Sequence, residues 1–217
     1  MVCRSAGLEQ RPTQVVRVYA NETLGPVRDY AAAIITGSPA NVTDKLPWSE
    51  QTAGWIRDAM DAGLPVLGIC YGHQLMAYAL GGRVDYNGAG RETGTQMVSL
   101  TAQGLADELL QGVPARFAAN LIHEQSVIEV PSCATVLAYN EHDPFQMLRL
   151  GDRAVSMQFH PEFSAPIMSS YIEVLHEMLA GEGANVAALA ASVEQTPHAT
   201  GIARSFVERY SAVRVST

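Results

Sequence analysis

Positive charge is scarce in this 217-residue sequence: 14 Lys and Arg stand against 22 Asp and Glu, a formal net charge of −8. Phosphate binding relies on clustered Lys and Arg, so nucleic acid is not an expected partner. No apolar run approaches the length of a membrane span, so no membrane association is expected. The opening segment, MVCRSAGLEQRPTQ, has no apolar stretch of the secretory type. Cysteine is sparse as well. Cys3, Cys70 and Cys133 are too few and too far apart for a disulfide framework or a metal-ligand set, which fits a reducing, cytoplasmic setting. Internal repeats and low-complexity linkers are missing. So is a Gly-rich phosphate loop: Gly81-Gly82 closes a helical pattern, and Gly88-Ala89-Gly90 lies in a polar loop with no helix pattern after it. No metal or cofactor is implied. The chain reads as one domain over residues 1–217, with a core over about 15–182 and a helical tail over about 183–217.

What is present is a packed α/β pattern. Hydrophobic residues make up 47% of the chain, and short apolar runs alternate with helical periodicity. Val15–Tyr19, Ala31–Thr36 and Leu64–Ile69 read as strands, the last apolar throughout, as a buried parallel strand should be. Ser49–Ala62 and Gly72–Leu80 read as helices, stopped by Gly63 and by Gly81-Gly82. Further strands are expected at Gln96–Leu100, Val127–Val130, Thr135–Tyr139, Gln146–Leu150 and Ala154–Phe159. Their close spacing suggests an antiparallel or mixed portion. Ile167–Leu179 should be a helix, followed by one or two more.

Cys70 stands where an apolar strand runs straight into a helix. Such a turn lifts its side chain into the crevice beyond the strand's carboxyl end, where α/β sheets bind ligands. The helix N-terminus there favours thiolate over thiol. Gly68 and Gly72 flank the turn and are expected to tolerate its backbone angles. A cysteine beside a small-residue turn is by default structural; a base elsewhere reverses that default. His160 supplies one. It follows the strand Ala154–Phe159, so it can reach the same sheet edge, and histidine is the usual base for a cysteine nucleophile. Glu162 can accept from its other ring nitrogen, and Pro161 stiffens the step between them.

Together these residues carry a family resemblance. Ile69-Cys70-Tyr71-Gly72-His73-Gln74 resembles the nucleophile motif of class I (triad-type) glutamine amidotransferases, and Phe159-His160-Pro161-Glu162 resembles their second motif. Thr36-Gly37-Ser38-Pro39 is similar to the oxyanion loop, and Arg91-Glu92-Thr93-Gly94 and His123-Glu124-Gln125-Ser126-Val127 to two pocket-lining segments. The resemblance runs from about Val15 to about Ile172. It extends to free-standing proteins similar to the amidotransferase domain of GMP synthase. It implies a flavodoxin-like three-layer sandwich with a mostly parallel central sheet. It also implies a Cys70–His160–Glu162 triad and an oxyanion hole from the backbone of Gly37 and Tyr71. Gln74, Glu92, Gly94, His123 and Gln125 would bind substrate.

Two departures from the pattern stand out. Met1–Gln14 lacks the apolar first strand that the family usually carries. Gln125 replaces an acidic residue that relatives carry in a His-x-Asp segment. Three functions stay open at this level: a glutaminase that passes ammonia to a separate synthetase subunit, a γ-glutamyl peptidase or hydrolase, and a non-catalytic binding relative. In the first two the partner is a small molecule, glutamine or another γ-glutamyl compound. A homodimer is also left open.

Overall fold

The computed structural model describes residues 1–210. Its helices are α1 (Val2–Ser5), α2 (Pro47–Asp61), α3 (Tyr71–Ala79), α4 (Ala102–Ala106), α5 (Ala165–Val174), α6 (His176–Gly181), α7 (Val186–Ala191) and α8 (Pro197–Tyr210). Its strands are β1 (Ala33–Ile35), β2 (Val66–Ile69), β3 (Arg83–Tyr86), β4 (Glu92–Leu100), β5 (Arg116–His123), β6 (Gln125–Glu129), β7 (Ala134–Tyr139), β8 (Met147–Leu150) and β9 (Ala154–Met157). Seven strands form one sheet in the order β1-β2-β9-β8-β7-β4-β5, and β3 and β6 pair separately.

The layered α/β architecture follows from how the strands alternate. In β2, Val66 packs among α2 and α3 side chains, with Ile56 and Leu75, whereas Leu67 and Ile69 point to the opposite face, where α8 adds Ile202 and Phe206. The sheet is mixed. Only β1, β2 and β9 run parallel; β8, β7, β4 and β5 add antiparallel neighbours, so the sheet expected to be mostly parallel is parallel only at its cysteine-bearing end. Physically, β7, β8 and β9 follow one another through short turns. Such connections join antiparallel neighbours and cannot make a parallel crossover.

Several local expectations change. Val15–Tyr19 is not a strand: Val18–Ala20 is a short 3-10 turn, and Val15 and Tyr19 are exposed. A strand needs a ladder partner, and here the Arg17 N–H donates instead to the Glu22 carboxylate at 2.7 Å. The first strand among the described residues is therefore β1, an edge strand of three partly exposed residues. The expected helix Ile167–Leu179 begins earlier, at Ala165, and breaks at Leu175. The break lets Met168 and Ile172 of α5 and Leu179 of α6 enter one apolar cluster with Phe163. Two strands carry too weak a pattern to be read from sequence. Only Val84 is buried in β3, and β5 runs through Ala-Ala-Asn. The stretch expected as a tail contains α8, whose Ala199, Ile202, Ala203, Phe206 and Val207 lie in the main core. Residues 211–217 of that stretch lie outside the described residues.

Candidate active site

The candidate nucleophile sits at the junction of β2 and α3. Cys70 has φ of +51°, one of only three non-glycine residues with positive φ among the described residues. A non-glycine residue held in that region is strained, and such strain collects at functional sites. The strained angle belongs to the cysteine itself, and the flanking glycines are needed for another reason. Neither Gly68 nor Gly72 has positive φ. Instead, a Cβ on Gly72 would land on the carbonyl of Ile35, and one on Gly68 would lie 2.6 Å from Met76 Sδ and 2.7 Å from the Gly72 carbonyl. Glycine lets α3 press against β1 and β2 and so holds the elbow in place.

The candidate base arrives from β9, hydrogen-bonded alongside β2. The two strands pair Ile69 with Met157, and the Cys70 N–H donates to the Met157 carbonyl at 2.8 Å, so His160 emerges at the same sheet edge. Its Nδ1 lies 2.9 Å from Glu162 Oε1, and both side chains are buried. Its Nε2 is buried with no hydrogen-bond partner among the described residues. Gly37 closes the corner: a Cβ there would lie 3.1 Å from His160 Cε1 and 3.7 Å from Cys70 Cβ. The structure thus brings Cys70, His160, Glu162 and Gly37 together. Tyr71 begins α3, where the first N–H groups have no partner within the helix. Burial alone would lower the His160 pKa, but the charges of Cys70 and Glu162 outweigh it and push the pKa up from 6.5 to about 10.

Four of the five residues expected to bind substrate, Gln74, Glu92, His123 and Gln125, form a buried polar network behind this corner. Gln74 donates from Nε2 to the Gln125 carbonyl at 2.6 Å and to Gln158 Oε1 at 3.0 Å. The Gln125 side chain donates to Thr43 Oγ1 at 2.6 Å and so ties the segment after Gly37 to β6. Glu92 accepts from His123 Nε2 at 2.9 Å, Gln146 Nε2 at 2.8 Å and Asn140 Nδ2 at 2.5 Å. Burial would raise the Glu92 pKa; the bonds from His123 and Asn140 and the charge of His123 overcome it, and the pKa lies below the usual carboxylate value. Gly94 has φ of +96° within β4, and a Cβ there would touch Leu189 of α7 at 3.4 Å.

Three contributors escape sequence reasoning. Asn120 accepts the His160 N–H on its backbone carbonyl at 2.8 Å and donates from Nδ2 to the Phe163 carbonyl at 3.0 Å. Phe163 stacks on the His160 ring, with centroids 4.1 Å apart and planes 15° apart. The Ile122 carbonyl lies 3.8 Å from Cys70 Sγ. Ile122 pairs with Thr93 of β4, which lines a groove of about 930 Å³ between the start of β4 and helices α6 and α7. Only Phe163 carried a signal, as the aromatic directly after His160-Pro161-Glu162.

Comparison with known proteins adds to this geometry. The profile of the family described as "Glutamine amidotransferase class-I" matches residues 2–174. A glutamine amidotransferase-like protein of Schizosaccharomyces pombe is 30% identical over 75% of this chain and 66% of its own length. The GMP synthase [glutamine-hydrolyzing] of Thermomicrobium roseum is 36% identical over 64% of this chain but only 24% of its own length. Gamma-glutamyl peptidase 4 of Arabidopsis thaliana is 30% identical over 70% of this chain and 60% of its own. The chain thus spans about two thirds of the yeast relative and about a quarter of the GMP synthase. Among solved structures, a glutamine amidotransferase from Methylobacillus flagellatus superposes with a TM-score of 0.79 at 24% identity, covering 99% of this chain and 92% of its own. One from Thermotoga maritima gives 0.77 at 24% identity, covering 92% and 86%.

Proposed function

The chain belongs to the class I glutamine amidotransferase family, and from that premise we propose that it hydrolyses the side-chain amide of glutamine through a γ-glutamyl thioester on Cys70. The observation that carries this reading is the meeting of Cys70, His160 and Gly37 at one point, with Glu162 on the far nitrogen of the imidazole. Cys70 Sγ attacks the amide carbonyl as thiolate, its proton held on His160, and forms a sulphur–carbon bond. The N–H groups of Gly37 and Tyr71 hold the developing oxyanion, a contribution of several kcal/mol in such sites. His160 is protonated at neutral pH and faces away from Glu162 with Nε2. It gives its proton to the nitrogen as the carbon–nitrogen bond breaks, and ammonia leaves. Water then attacks the thioester and yields its proton to His160. Glutamate departs as the sulphur–carbon bond breaks, which returns Cys70 as thiolate beside protonated His160. In this reading the ammonia is available to a separate synthetase subunit.

A second substrate class is favoured by one observation. A groove of about 930 Å³ runs beside Thr93, whose strand partner Ile122 has its carbonyl 3.8 Å from Cys70 Sγ; Cys70 and His160 do not line it, so it would take the far part of an extended leaving group. The same chemistry with a peptide nitrogen as leaving group would make the chain a γ-glutamyl peptidase, the activity named for its Arabidopsis relative. One assay separates the readings. The purified chain and its Cys70→Ala variant are compared for glutamate release from glutamine and from γ-glutamyl dipeptides. Release from glutamine supports the amidase reading. Release from peptides alone replaces it with the peptidase reading. No release from a folded protein contradicts both.

A further inference from the structure

A hydrogen bond at Nδ1 fixes one atom of the His160 ring, but the ring can still turn about that contact. Its plane must be set by something else. Phe163 lies face to face with it, at 4.1 Å and 15°, and Tyr171 of α5 lies against the outer face of Phe163, at 4.8 Å and 18°. The Phe163 ring is buried in the cluster with Met168 and Ile172. Its main chain is held at both ends: its N–H donates to the His160 carbonyl at 3.3 Å, and its carbonyl accepts from Asn120 Nδ2 at 3.0 Å. Asn120 also takes the His160 N–H on its own carbonyl, so one residue sets the spacing of both rings.

Resting on the catalytic reading above, we propose that Phe163 is a positioning residue. Its face fixes the plane of the His160 imidazole and favours its protonated form, with Tyr171 as the backing ring. The electrostatics agree. An aromatic face is electron-rich and attracts a cation within about 6 Å of its centroid. The charged groups facing His160 are Cys70 and Glu162; the other neighbours, Gly37, Asn120 and Phe163, carry no charge. A purely apolar role for Phe163 would be satisfied by any side chain of similar volume. A stacking role needs a ring.

The test compares Phe163→Leu, Phe163→Tyr and Tyr171→Leu with wild type. It measures kcat and KM on glutamine, thermal melting, and the pH dependence of Cys70 alkylation by iodoacetamide. The alkaline step of that last profile reports loss of the His160 proton. Phe163→Leu should lower kcat by about tenfold, with KM changed by less than about twofold, as expected when a supporting residue is lost. Its alkaline step should fall by roughly half to one pH unit. Phe163→Tyr should restore both, and Tyr171→Leu should shift the step the same way by less. The proposal is overturned if Phe163→Leu is folded and keeps the wild-type alkaline step. It is also overturned if Phe163→Tyr fails to restore a folded, active enzyme. Should Phe163→Leu not fold, Tyr171→Leu decides, and an unmoved step refutes the proposal. Should the wild type hydrolyse nothing, the catalytic reading fails, while the alkylation profiles still decide the role of the ring.

Discussion

Two histidines, three residues and ninety residues from Cys70 along the chain, are both buried and behave oppositely. His73 in α3 has its pKa pushed down from 6.5 to about 3, while His160 has its pKa pushed up to about 10. Burial is the largest influence on each, and it lowers both. The neighbours make the difference. His73 Nδ1 meets the hydroxyl of Ser156 at 2.8 Å, and the charge of His123 pushes the pKa further down. His160 meets the carboxylate of Glu162 and the sulphur of Cys70. A buried histidine with no anionic neighbour stays neutral and serves as a packing element. The same side chain set against Glu162 and Cys70 keeps its proton to higher pH.

The largest effect should come from removing the carboxylate. Glu162→Gln leaves a hydrogen-bonding side chain but no charge, so burial regains control of His160 and its pKa falls. Losses of kcat on the order of 10²- to 10⁴-fold are expected, from substitutions of the orienting acid in such triads. The alkaline limb of the rate profile should move to lower pH. An unchanged limb would mean that Glu162 does not hold the proton on His160.

Next in size is the elbow, shared by both histidines. Gly72→Ala places a methyl group on the Ile35 carbonyl, and overpacking of this kind costs roughly 1–3 kcal/mol. Thermal melting should fall by several degrees. A melting point equal to wild type would show that α3 can shift away from β1 at no cost.

The two histidines should also bend the stability curve in opposite directions. The folded pKa of His160 lies above 6.5, so its contribution is fully present below about pH 6.5 and is lost as the pH rises toward 10. The folded pKa of His73 lies below 6.5. As the pH falls from 6.5 toward 3, the unfolded chain takes up a proton that the folded chain refuses, and stability drops. Relative to wild type, His160→Gln should therefore be most destabilised below pH 6.5, with the deficit shrinking toward pH 10. His73→Gln should show a deficit at neutral pH that shrinks as the pH falls. Melting temperatures across the pH range test both, and parallel curves would contradict the assignment. The smallest effect belongs to Ser156→Ala, which removes one buried hydrogen bond from His73 and should cost about 1 kcal/mol, with kcat unchanged. A clear loss of kcat would tie His73 to the chemistry and erase the contrast.

How much of this was legible in the sequence depended on whether the cause was local. Cys70 and His160 each end an apolar strand, and adjacent parallel strands deliver such ends to one edge, so their meeting could be read in advance. Glycines 68 and 72 could be singled out, but for backbone angles they do not adopt. Their reason is the Ile35 carbonyl and the Met76 side chain, contacts that only the folded chain creates. Val15–Tyr19 has a strand's composition without a strand's partner, and its backbone is taken by Glu22. Asn120 was invisible because a polar residue inside a weakly patterned strand gives no sign of what it will bond across the fold. The mixed sheet was half legible, since close spacing announced antiparallel neighbours without saying how many.

The central claim is that neighbours, not exposure, make Cys70 the nucleophile, and the chain carries its own controls. Cys133 is exposed and Cys3 partly so, whereas Cys70 is 8% exposed. Peptide mass mapping after treatment with an electrophilic glutamine analogue, in the wild type and in His160→Gln, tests this most directly. The account predicts an adduct on Cys70 that glutamine suppresses and that His160→Gln slows by orders of magnitude, with Cys3 and Cys133 unmodified. An adduct that follows exposure, on Cys133 before Cys70, or one on Cys70 that is indifferent to His160, would contradict it.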